Sequence, residues 1–244
     1  MSELVRFLGW DTEHFGVRIA RVQDGQLTDD NVATVDEWCV ENAIDCVYYL
    51  VPADDIASVT VAENNGFHLQ DIRMVFNHRL IESYETPNQV GDYTIDQAKE
   101  GDLPALLAMI DGVYEKSRFY NDARFDNEDA NRMYHVWLEK CLTGAMADVV
   151  FCARKEGIPQ AFVTCRLDAD TQIADIGLVG VAEATRGQNL AGILLQHTFA
   201  HSQQNGMTHI EVATQGSNIA AQRLYQKAGF RTMRVHLWYH KWFT

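Results

Sequence analysis

Apolar residues recur at helical spacing along residues 126–142. They fall at positions i, i+3, i+4, i+7, i+8, i+11 and i+12, which predicts one amphipathic helix with a broad apolar face: Ala130, Met133, Tyr134, Trp137, Leu138, Cys141 and Leu142. Gly144 stands where a glycine commonly ends such a helix. A shorter helix is expected upstream, with Asp102 as its N-cap and Pro104 in its first turn, where a missing N–H costs nothing.

Beyond this helix the pattern changes to short apolar stretches separated by turn residues. Three of them, joined by turns at residues 156–157 and 168–171, predict an antiparallel meander. Helices and strands then alternate, and the last apolar segment forms a final hairpin or a bent strand. The predicted elements are strands at 93–98, 148–154, 160–166, 172–181 and 209–214, helices at 189–205 and 218–228, and the closing segment at 231–242.

A polar stretch at residues 82–92 separates two apolar regions of the chain. We therefore expect two units, a small α/β domain at residues 1–86 and a larger domain at residues 87–244. Residues 55–68 align without gaps on residues 218–231, which indicates that the first domain is a truncated copy of the second. Helix-glycine-strand chemistry shared without common descent is the alternative explanation, and the alignment alone leaves both open.

Composition narrows the classes of function. The 244 residues carry a net charge of -14, which argues against nucleic acids and anionic membranes as partners but permits a small anionic ligand. No run of about 18 apolar residues occurs, and the first residues lack the basic and apolar parts of a secretion signal. Five cysteines without a CxxC pair are expected to stay reduced. These features favour a cytoplasmic protein that acts on a small molecule.

The segment from Leu178 to Leu195 predicts a strand, a tight polar loop and a helix whose first turn holds small residues. Unpaired N–H groups and the positive end of the helix dipole make such a helix start an anion site. Arg186 adds a positive charge, while Asn189 and Gly192 permit backbone shapes and close approaches that bulkier residues resist. The spacing differs from the dinucleotide and P-loop fingerprints.

The loop sequence R-G-Q-N-L-A at residues 186–191 resembles the R-x-x-G-x-G/A pyrophosphate loop of the GCN5-related N-acetyltransferases (GNAT), with Asn189 in place of the first glycine. The element order resembles the same fold, an α/β (α+β) arrangement whose mixed, mostly antiparallel sheet opens in a V-shaped split. The resemblance implies acetyl-CoA as co-substrate and no metal. It implies a cofactor site made of Val179, Gly180, Val181, Arg186, Gly187, Asn189, Ala191, Gly192 and Asn218.

Within this resemblance, each part of the split has an expected task. Backbone groups of Val179 and Val181 pair with the pantetheine arm like an added strand, and Gly180 lets the arm lie close. A plain buried strand is the alternative interpretation of the same residues. The first domain lacks the anion loop, so any chemistry is expected in the second domain.

Two residues are candidates for proton transfer. Tyr225 lies seven residues after Asn218, so both share one helix face. The resemblance implies that Tyr225 protonates the departing thiolate, and a phenol suits this task because its ordinary pKa is close to that of a thiol. Asp175 is the candidate general base. The alternatives are a core tyrosine, a strand-edge aspartate with ordinary ionisation, and deprotonation by ordered water.

Four segments, residues 9–16, 117–122, 212–215 and 237–242, resemble the dTDP-fucosamine acetyltransferases within that family. This resemblance implies transfer of an acetyl group to the 4-amino group of a dTDP-linked deoxysugar, a step in surface polysaccharide synthesis. An arginine suits a diphosphate and an aromatic ring suits a base or sugar face. The expected acceptor contacts are Arg118, Phe119, Thr214 and Gln215.

Other functions stay open at this point. The acceptor is alternatively another small amine or a protein N-terminus, and the chain is alternatively an inactive acyl-CoA-binding sensor. The C-terminal aromatic segment is also suited to packing a homodimer. His197 and His201 have a spacing compatible with metal binding but no accompanying glutamate, so we expect them on a polar helix face rather than at a metal.

Overall fold

The computed structural model describes residues 4–23, 25–84 and 86–243. Its first part contains four strands and three helices, which follow one another as β1 (Val5–Phe7), α1 (Gly9–Phe15), β2 (Ile19–Val22), α2 (Val32–Glu41), β3 (Cys46–Pro52), α3 (Ile56–Asn64) and β4 (His68–Arg79).

The second part contains the remaining strands and helices. They are β5 (Gln89–Val90), β6 (Tyr93–Gln97), α4 (Leu103–Ile110), α5 (Arg118–Asn121), α6 (Asn127–Leu142), β7 (Val149–Lys155), β8 (Ile158–Asp168), β9 (Ile173–Val181), α7 (Leu190–Gln204), β10 (His209–Gln215), α8 (Ile219–Lys227) and β11 (Arg231–Trp242). Short 3-10 turns precede α4 and α7. The predicted elements are all found, and the two-residue strand β5 and the four-residue helix α5 are additions that the sequence pattern did not indicate.

All eleven strands form one sheet in the order β1-β2-β3-β11-β4-β10-β9-β8-β7-β6-β5. The pairs β2 with β3 and β9 with β10 are parallel, and the other neighbours are antiparallel. The expected mixed, mostly antiparallel sheet is therefore confirmed. The closing segment is one long bent strand rather than a hairpin.

The sheet opens between β9 and β10. The two strands pair only from Ile173 with His209 to Ile176 with Val212, and both continue beyond this point. The register of β8 against β9 shifts at the same level, where the Leu178 N–H donates to the Thr164 hydroxyl at 2.8 Å. A bulge bends its strand and increases the local twist. This irregularity turns the end of β9 away from β10 and produces the V-shaped split.

The two parts of the chain exchange strands at the centre of the sheet. Strand β4 lies between β10 and β11, and β11 lies between β3 and β4. The sheet therefore runs without interruption across the boundary expected after residue 86. The backbone hydrogen bonds of each part are completed by the other, because β11 pairs with β3 and β4 pairs with β10.

A constant offset of 163 residues relates the two parts. It separates the starts of β3 and β10 (Cys46 and His209) and the starts of α3 and α8 (Ile56 and Ile219). The same offset separates Arg73 from His236, which pair with each other at the centre of the β4–β11 ladder. The extra residues at the two irregular points of that ladder are Gln70 and Met233, again 163 apart. This register supports the interpretation of the first part as a truncated copy.

Three apolar clusters hold the sheet. One lies between the sheet and helices α7 and α8, a second between the sheet and helices α4 to α6, and a third under α2 and α3. All five cysteines are buried and unpaired, as expected. Among the described residues, no helix is both long and apolar enough to cross a bilayer.

One local prediction holds only in part and another is wrong. Asp102 is the N-cap residue of α4, as predicted, but its side chain makes no capping bond, because its carboxylate accepts from Arg154 and from the Lys99 N–H instead. His197 is buried rather than on a polar face, and its Nε2 lies 3.2 Å from the Pro87 carbonyl oxygen. Tertiary partners at a distance along the chain decided both side chains.

Candidate functional site

A cavity of about 1410 Å³ passes through the split between β9 and β10. On one side of the sheet it is bounded by the starts of α7 and α8. On the other side it is bounded by α6, the segment 111–119, and residues of α1 and β4. The structure brings these predicted site residues to its wall: Arg118, Phe119, Asp175, Val179, Val181, Arg186, Gly187, Asn189, Ala191, Gly192, Thr214, Gln215, Asn218 and Tyr225.

The start of α7 has the open backbone that the loop sequence predicts. Gly187 has φ of 82° and Asn189 has φ of 61°, so both adopt the left-handed conformation that asparagine tolerates better than other residues with side chains. Asn189 precedes the helix without a side-chain capping bond. A Cβ on Gly192 would lie 2.6 Å from Asn189 Oδ1. Glycine at 192 therefore makes room for the asparagine that replaces the usual glycine of the loop.

Gly180 is the predicted cofactor residue that does not line the cavity. It is buried, and a Cβ placed on it would overlap the ring of Phe162. The close approach that requires glycine here is therefore made by Phe162, its pairing partner on the neighbouring strand β8. The sequence could not show this, because it contains a glycine in either case, whether a ligand or an aromatic ring lies against that position.

Tyr225 lies on α8 at the side of the split that faces α7. Its side chain packs against Phe76 and Phe230, with ring centroids 6.0 and 5.7 Å apart, and the residue is 5% exposed. Burial raises the pKa of Tyr225 well above the ordinary phenol value. Among the described residues, none accepts a hydrogen bond from its hydroxyl. The phenol is therefore protonated throughout the neutral range and has its donor free.

Asp175 lies at the closed end of the split, in the last paired stretch of β9. It faces Glu211 across the β9–β10 ladder and Arg166 across the β8–β9 ladder. Although the side chain is open to the cavity, the surrounding protein desolvates it. Desolvation, with a smaller contribution from Glu211, raises the pKa of Asp175 to about 6, while Arg73 and Arg166 oppose the shift.

Tyr114 occupies part of the split and was not among the predicted residues. Its hydroxyl donates to the Val179 carbonyl oxygen at 3.3 Å. Its ring stacks on Tyr134 at 4.2 Å, and Tyr134 in turn stacks on Trp137 at 6.2 Å. Val179 is one of the two residues whose backbone groups the sequence assigns to the cofactor arm. Tyr114 therefore competes for a group that the arm is expected to use.

The first part of the chain supplies a further portion of the wall through Trp10, Asp11, Asp71 and Arg73. Asp71 and Arg73 alternate along β4 and so share one face of the sheet. Burial raises the pKa of Asp71 to about 6 against the attraction of Arg118. Sequence reasoning missed these residues because only the insertion of β4 beside β10 brings them to the split.

Arg118 lies at the far end of the cavity from α7. Its guanidinium carbon is 4.0 to 4.3 Å from the ring centroids of Tyr48, Phe119 and Trp238. Phe119 is only 6% exposed and stacks on Phe15, so it mainly supports the guanidinium from the core. Thr214 and Gln215 lie at the end of β10 that pairs with β4 but no longer with β9, on the open side of the split.

Residues 113–230 match the model of the family described as the acetyltransferase (GNAT) family. The chain is similar to a spore coat polysaccharide biosynthesis protein of Bacillus subtilis, at 24% identity over 81% of this chain and 67% of that protein. It is also similar to a dTDP-fucosamine acetyltransferase of Escherichia coli, at 26% identity over 63% of this chain and 66% of that protein. The alignments thus span about two thirds of each relative.

A solved GCN5-related N-acetyltransferase of Sphaerobacter thermophilus has a similar fold. It superposes with a TM-score of 0.67 at 17% identity, covering 98% of this chain and 76% of the other. The coverage includes the first part of the chain, so the whole eleven-strand arrangement has a counterpart among proteins of this fold.

Proposed function

Because residues 113–230 match the model of the GNAT family of acetyltransferases, we propose that the protein transfers an acetyl group from acetyl-CoA to the amino group of a nucleotide-linked amino sugar. The observation that carries the proposal is the single cavity that joins the glycine-containing start of α7 to a second end lined by acids, arginines and aromatic rings. A donor and an acceptor can thus meet in the split between β9 and β10.

The α7 end suits the donor. Backbone N–H groups at the start of a 15-residue helix attract a pyrophosphate, and Arg186 stands at the same loop. The backbone of β9 beyond Ile176 is free of β10, so Val179 and Val181 can pair like a strand with an extended arm once the arm displaces the Tyr114 hydroxyl from the Val179 carbonyl. Asn218 caps α8 by accepting from the Ala221 N–H at 3.2 Å, which fixes it at the same edge.

Bound acetyl-CoA supplies an activated acyl group and a thiolate leaving group. In our proposal Asp175 accepts a proton from the acceptor ammonium, because a carboxyl with a pKa of about 6 is mostly ionised at pH 7 and still basic. The neutral amine forms the new C–N bond while the C–S bond breaks, and the second proton of the attacking nitrogen passes to water as the amide forms. Tyr225 donates its phenolic proton to the departing sulfur, and its burial keeps that proton in place beforehand.

The opposite end suits an acceptor with charges of both signs. Asp11, Asp71 and Asp175 match an ammonium and sugar hydroxyls, while Arg118 matches a phosphate. Trp10 is 42% exposed and adds apolar surface for a sugar or base at this end of the cavity. The names of the two curated relatives, one in spore coat polysaccharide biosynthesis and one acting on dTDP-fucosamine, support the same class of acceptor.

The test is a thermal shift of the purified protein with acetyl-CoA, dTDP, UDP and pairs of these ligands, because a ligand that binds the folded state raises the melting temperature. We expect shifts with acetyl-CoA and with a nucleoside diphosphate. Turnover is then measured by thiol release with dTDP-4-amino-4,6-dideoxygalactose. A shift with acetyl-CoA alone would reject the nucleotide-sugar acceptor, and no shift with saturating acetyl-CoA would reject the acetyl transfer itself.

A further inference from the structure

A chain of buried hydrogen bonds holds the Arg118 side chain in place. The Arg118 Nη1 donates to His240 Nε2 at 2.8 Å, and His240 Nδ1 lies 2.7 Å from Asp122 Oδ2. Trp242 Nε1 donates to the same carboxylate oxygen at 2.9 Å. His240 has no exposed surface and Asp122 is 6% exposed. Arg118 begins α5 and Asp122 directly follows it, while His240 and Trp242 lie on β11, more than 100 positions further along the chain.

The proton positions in this chain follow from the partners. An arginine has only donors, so His240 Nε2 must accept and the ring hydrogen must be on Nδ1, where it is donated to Asp122. Burial lowers the pKa of His240 to about 4, against the opposing effect of Asp122. His240 is therefore neutral at physiological pH, so it accepts the hydrogen bond from Arg118 without adding a second positive charge.

Arg154 is a structural arginine with which Arg118 can be compared. Its guanidinium donates to Asp96 and to both oxygens of Asp102, at 2.6 to 2.7 Å. Arg118 differs, since no carboxylate of the described residues forms an ion pair with it. Asp11 and Asp71 are close enough to feel its charge, and both have raised pKa values because burial outweighs that attraction.

Three rings remove water from Arg118 while one hydrogen bond fixes its orientation. A cation over aromatic faces keeps its charge but loses the screening of bulk water, which strengthens its attraction for an anion that enters the cavity. The planar guanidinium has further N–H donors in a rigid fork that matches two phosphate oxygens. Because Arg118 lines the cavity, a ligand entering the split from β9 can reach this fork.

We propose that Arg118 binds a phosphate of the acceptor, and that His240 and Asp122 are positioning residues that hold its guanidinium in the orientation for this contact. The inference rests on the proposed function, because it names the part of the acceptor that the far end of the cavity recognises. Asp11, Asp71, Arg73 and Asp175 face the same space, so the bound acceptor carries a positive amine near the carboxylates and a negative phosphate at Arg118.

The experiment is calorimetric titration of dTDP, thymidine and inorganic pyrophosphate, with saturating coenzyme A present to fill the α7 end. The proteins are the wild type, Arg118→Gln, Arg118→Lys, His240→Gln and the double variant. Arg132→Lys is the control, because Arg132 is a mostly exposed arginine that pairs with Asp129 outside the cavity. Melting temperatures and the Kd of acetyl-CoA verify that each variant is folded.

We expect Arg118→Gln to raise the Kd of dTDP at least tenfold and to leave that of thymidine unchanged. Arg118→Lys should recover part of the loss. His240→Gln should raise the Kd of dTDP about three- to tenfold, and should add nothing in the Arg118→Gln background if it acts through the arginine. A full additional loss in the double variant would overturn the positioning role.

The two proposals fail in different ways. If the wild type binds dTDP and Arg118→Gln binds it equally well, the proposed nucleotide-sugar acceptor is supported and the proposed role of Arg118 is rejected. If the wild type binds neither dTDP nor UDP but binds pyrophosphate through Arg118, the phosphate site stands and the nucleotide-sugar acceptor is wrong. If the wild type binds no phosphate compound under these conditions, the inference about Arg118 is overturned.

Discussion

The two parts of this chain use the same strand-helix-strand unit for different purposes. Helices α3 and α8 have equal lengths, and each begins at a residue whose side chain accepts from the N–H three positions on: Asp55 from Ser58 and Asn218 from Ala221, both at 3.2 Å. Ala62, however, is fully buried in the third apolar cluster, whereas Tyr225 borders the cavity. Equal local structure therefore does not imply equal chemistry.

The difference comes from what lies opposite each helix. In the second part, β9 extends well past its pairing with β10 and leaves a split, while in the first part β2 is only four residues long and ends near its last pair with β3. A four-residue strand cannot open a comparable cleft. The first part instead contributes Trp10, Asp11, Asp71 and Arg73 to the cavity of the second. In our proposal the second part thus carries the donor site, and the first part completes the acceptor end.

The largest effect should come from the helix position that distinguishes the copies. We predict that Tyr225→Phe lowers kcat by about 10²- to 10⁴-fold, the usual contribution of a positioned proton donor, because the phenylalanine keeps the ring packing and loses the proton. The Kd of acetyl-CoA should stay unchanged. Steady-state turnover and calorimetry measure the two quantities, and unchanged turnover would reject Tyr225 as the acid.

A second comparison sets Asp175 of the second part against Asp71 of the first, since both carboxyls have a pKa of about 6. A base works only when ionised, so kcat/KM should fall about tenfold per unit of pH below 6. We predict that Asp175→Asn lowers kcat about a hundredfold and removes the decline of kcat/KM at acidic pH, the acidic limb of the profile. Asp71→Asn should keep the limb and raise KM for the acceptor. The reverse pattern would place the base in the first part.

The matched helix caps separate stability from binding. Asp55→Ala and Asn218→Ala should each lower the free energy of unfolding by about 0.5–2 kcal/mol, because each leaves a first-turn N–H without its acceptor. Only Asn218→Ala should also weaken acetyl-CoA binding, since Asn218 borders the cavity. Urea denaturation measures the free energy of unfolding of both variants, and calorimetry measures their affinity for acetyl-CoA. Equal acetyl-CoA affinity in the two would remove Asn218 from the cofactor site.

The smallest predicted effect concerns the tyrosine in the split. Tyr114→Phe keeps the stack on Tyr134 but frees the Val179 carbonyl, so acetyl-CoA should bind roughly two- to tenfold more tightly, the worth of one net hydrogen bond. Tyr120→Phe is the control, because Tyr120 does not line the cavity. Weaker binding in Tyr114→Phe would mean that the hydroxyl assists the cofactor rather than competing with it.

Much of the second part could be predicted from the sequence because the signals there are local. Hydrophobic spacing identified α6, the turn residues identified the meander, and the small residues after Arg186 identified an open helix start with Asn189 in the left-handed region. Each of these depends on residues within a few positions of one another. Backbone conformation and helix capping are set at that range.

Only the tertiary structure decided how the parts combine. The exchange of β4 and β11 brings Asp71 and Arg73 to a cleft formed 100 residues later, and it pairs His240 with Asp122 behind Arg118. The role of Gly180 was likewise set by a ring on a neighbouring strand. Sequence periodicity reports which face of an element is buried, but not which distant element covers it. The sequence predicted Arg118, Phe119, Thr214 and Gln215 at the proposed acceptor end, but the residues that join them from the first part of the chain became visible only in the fold.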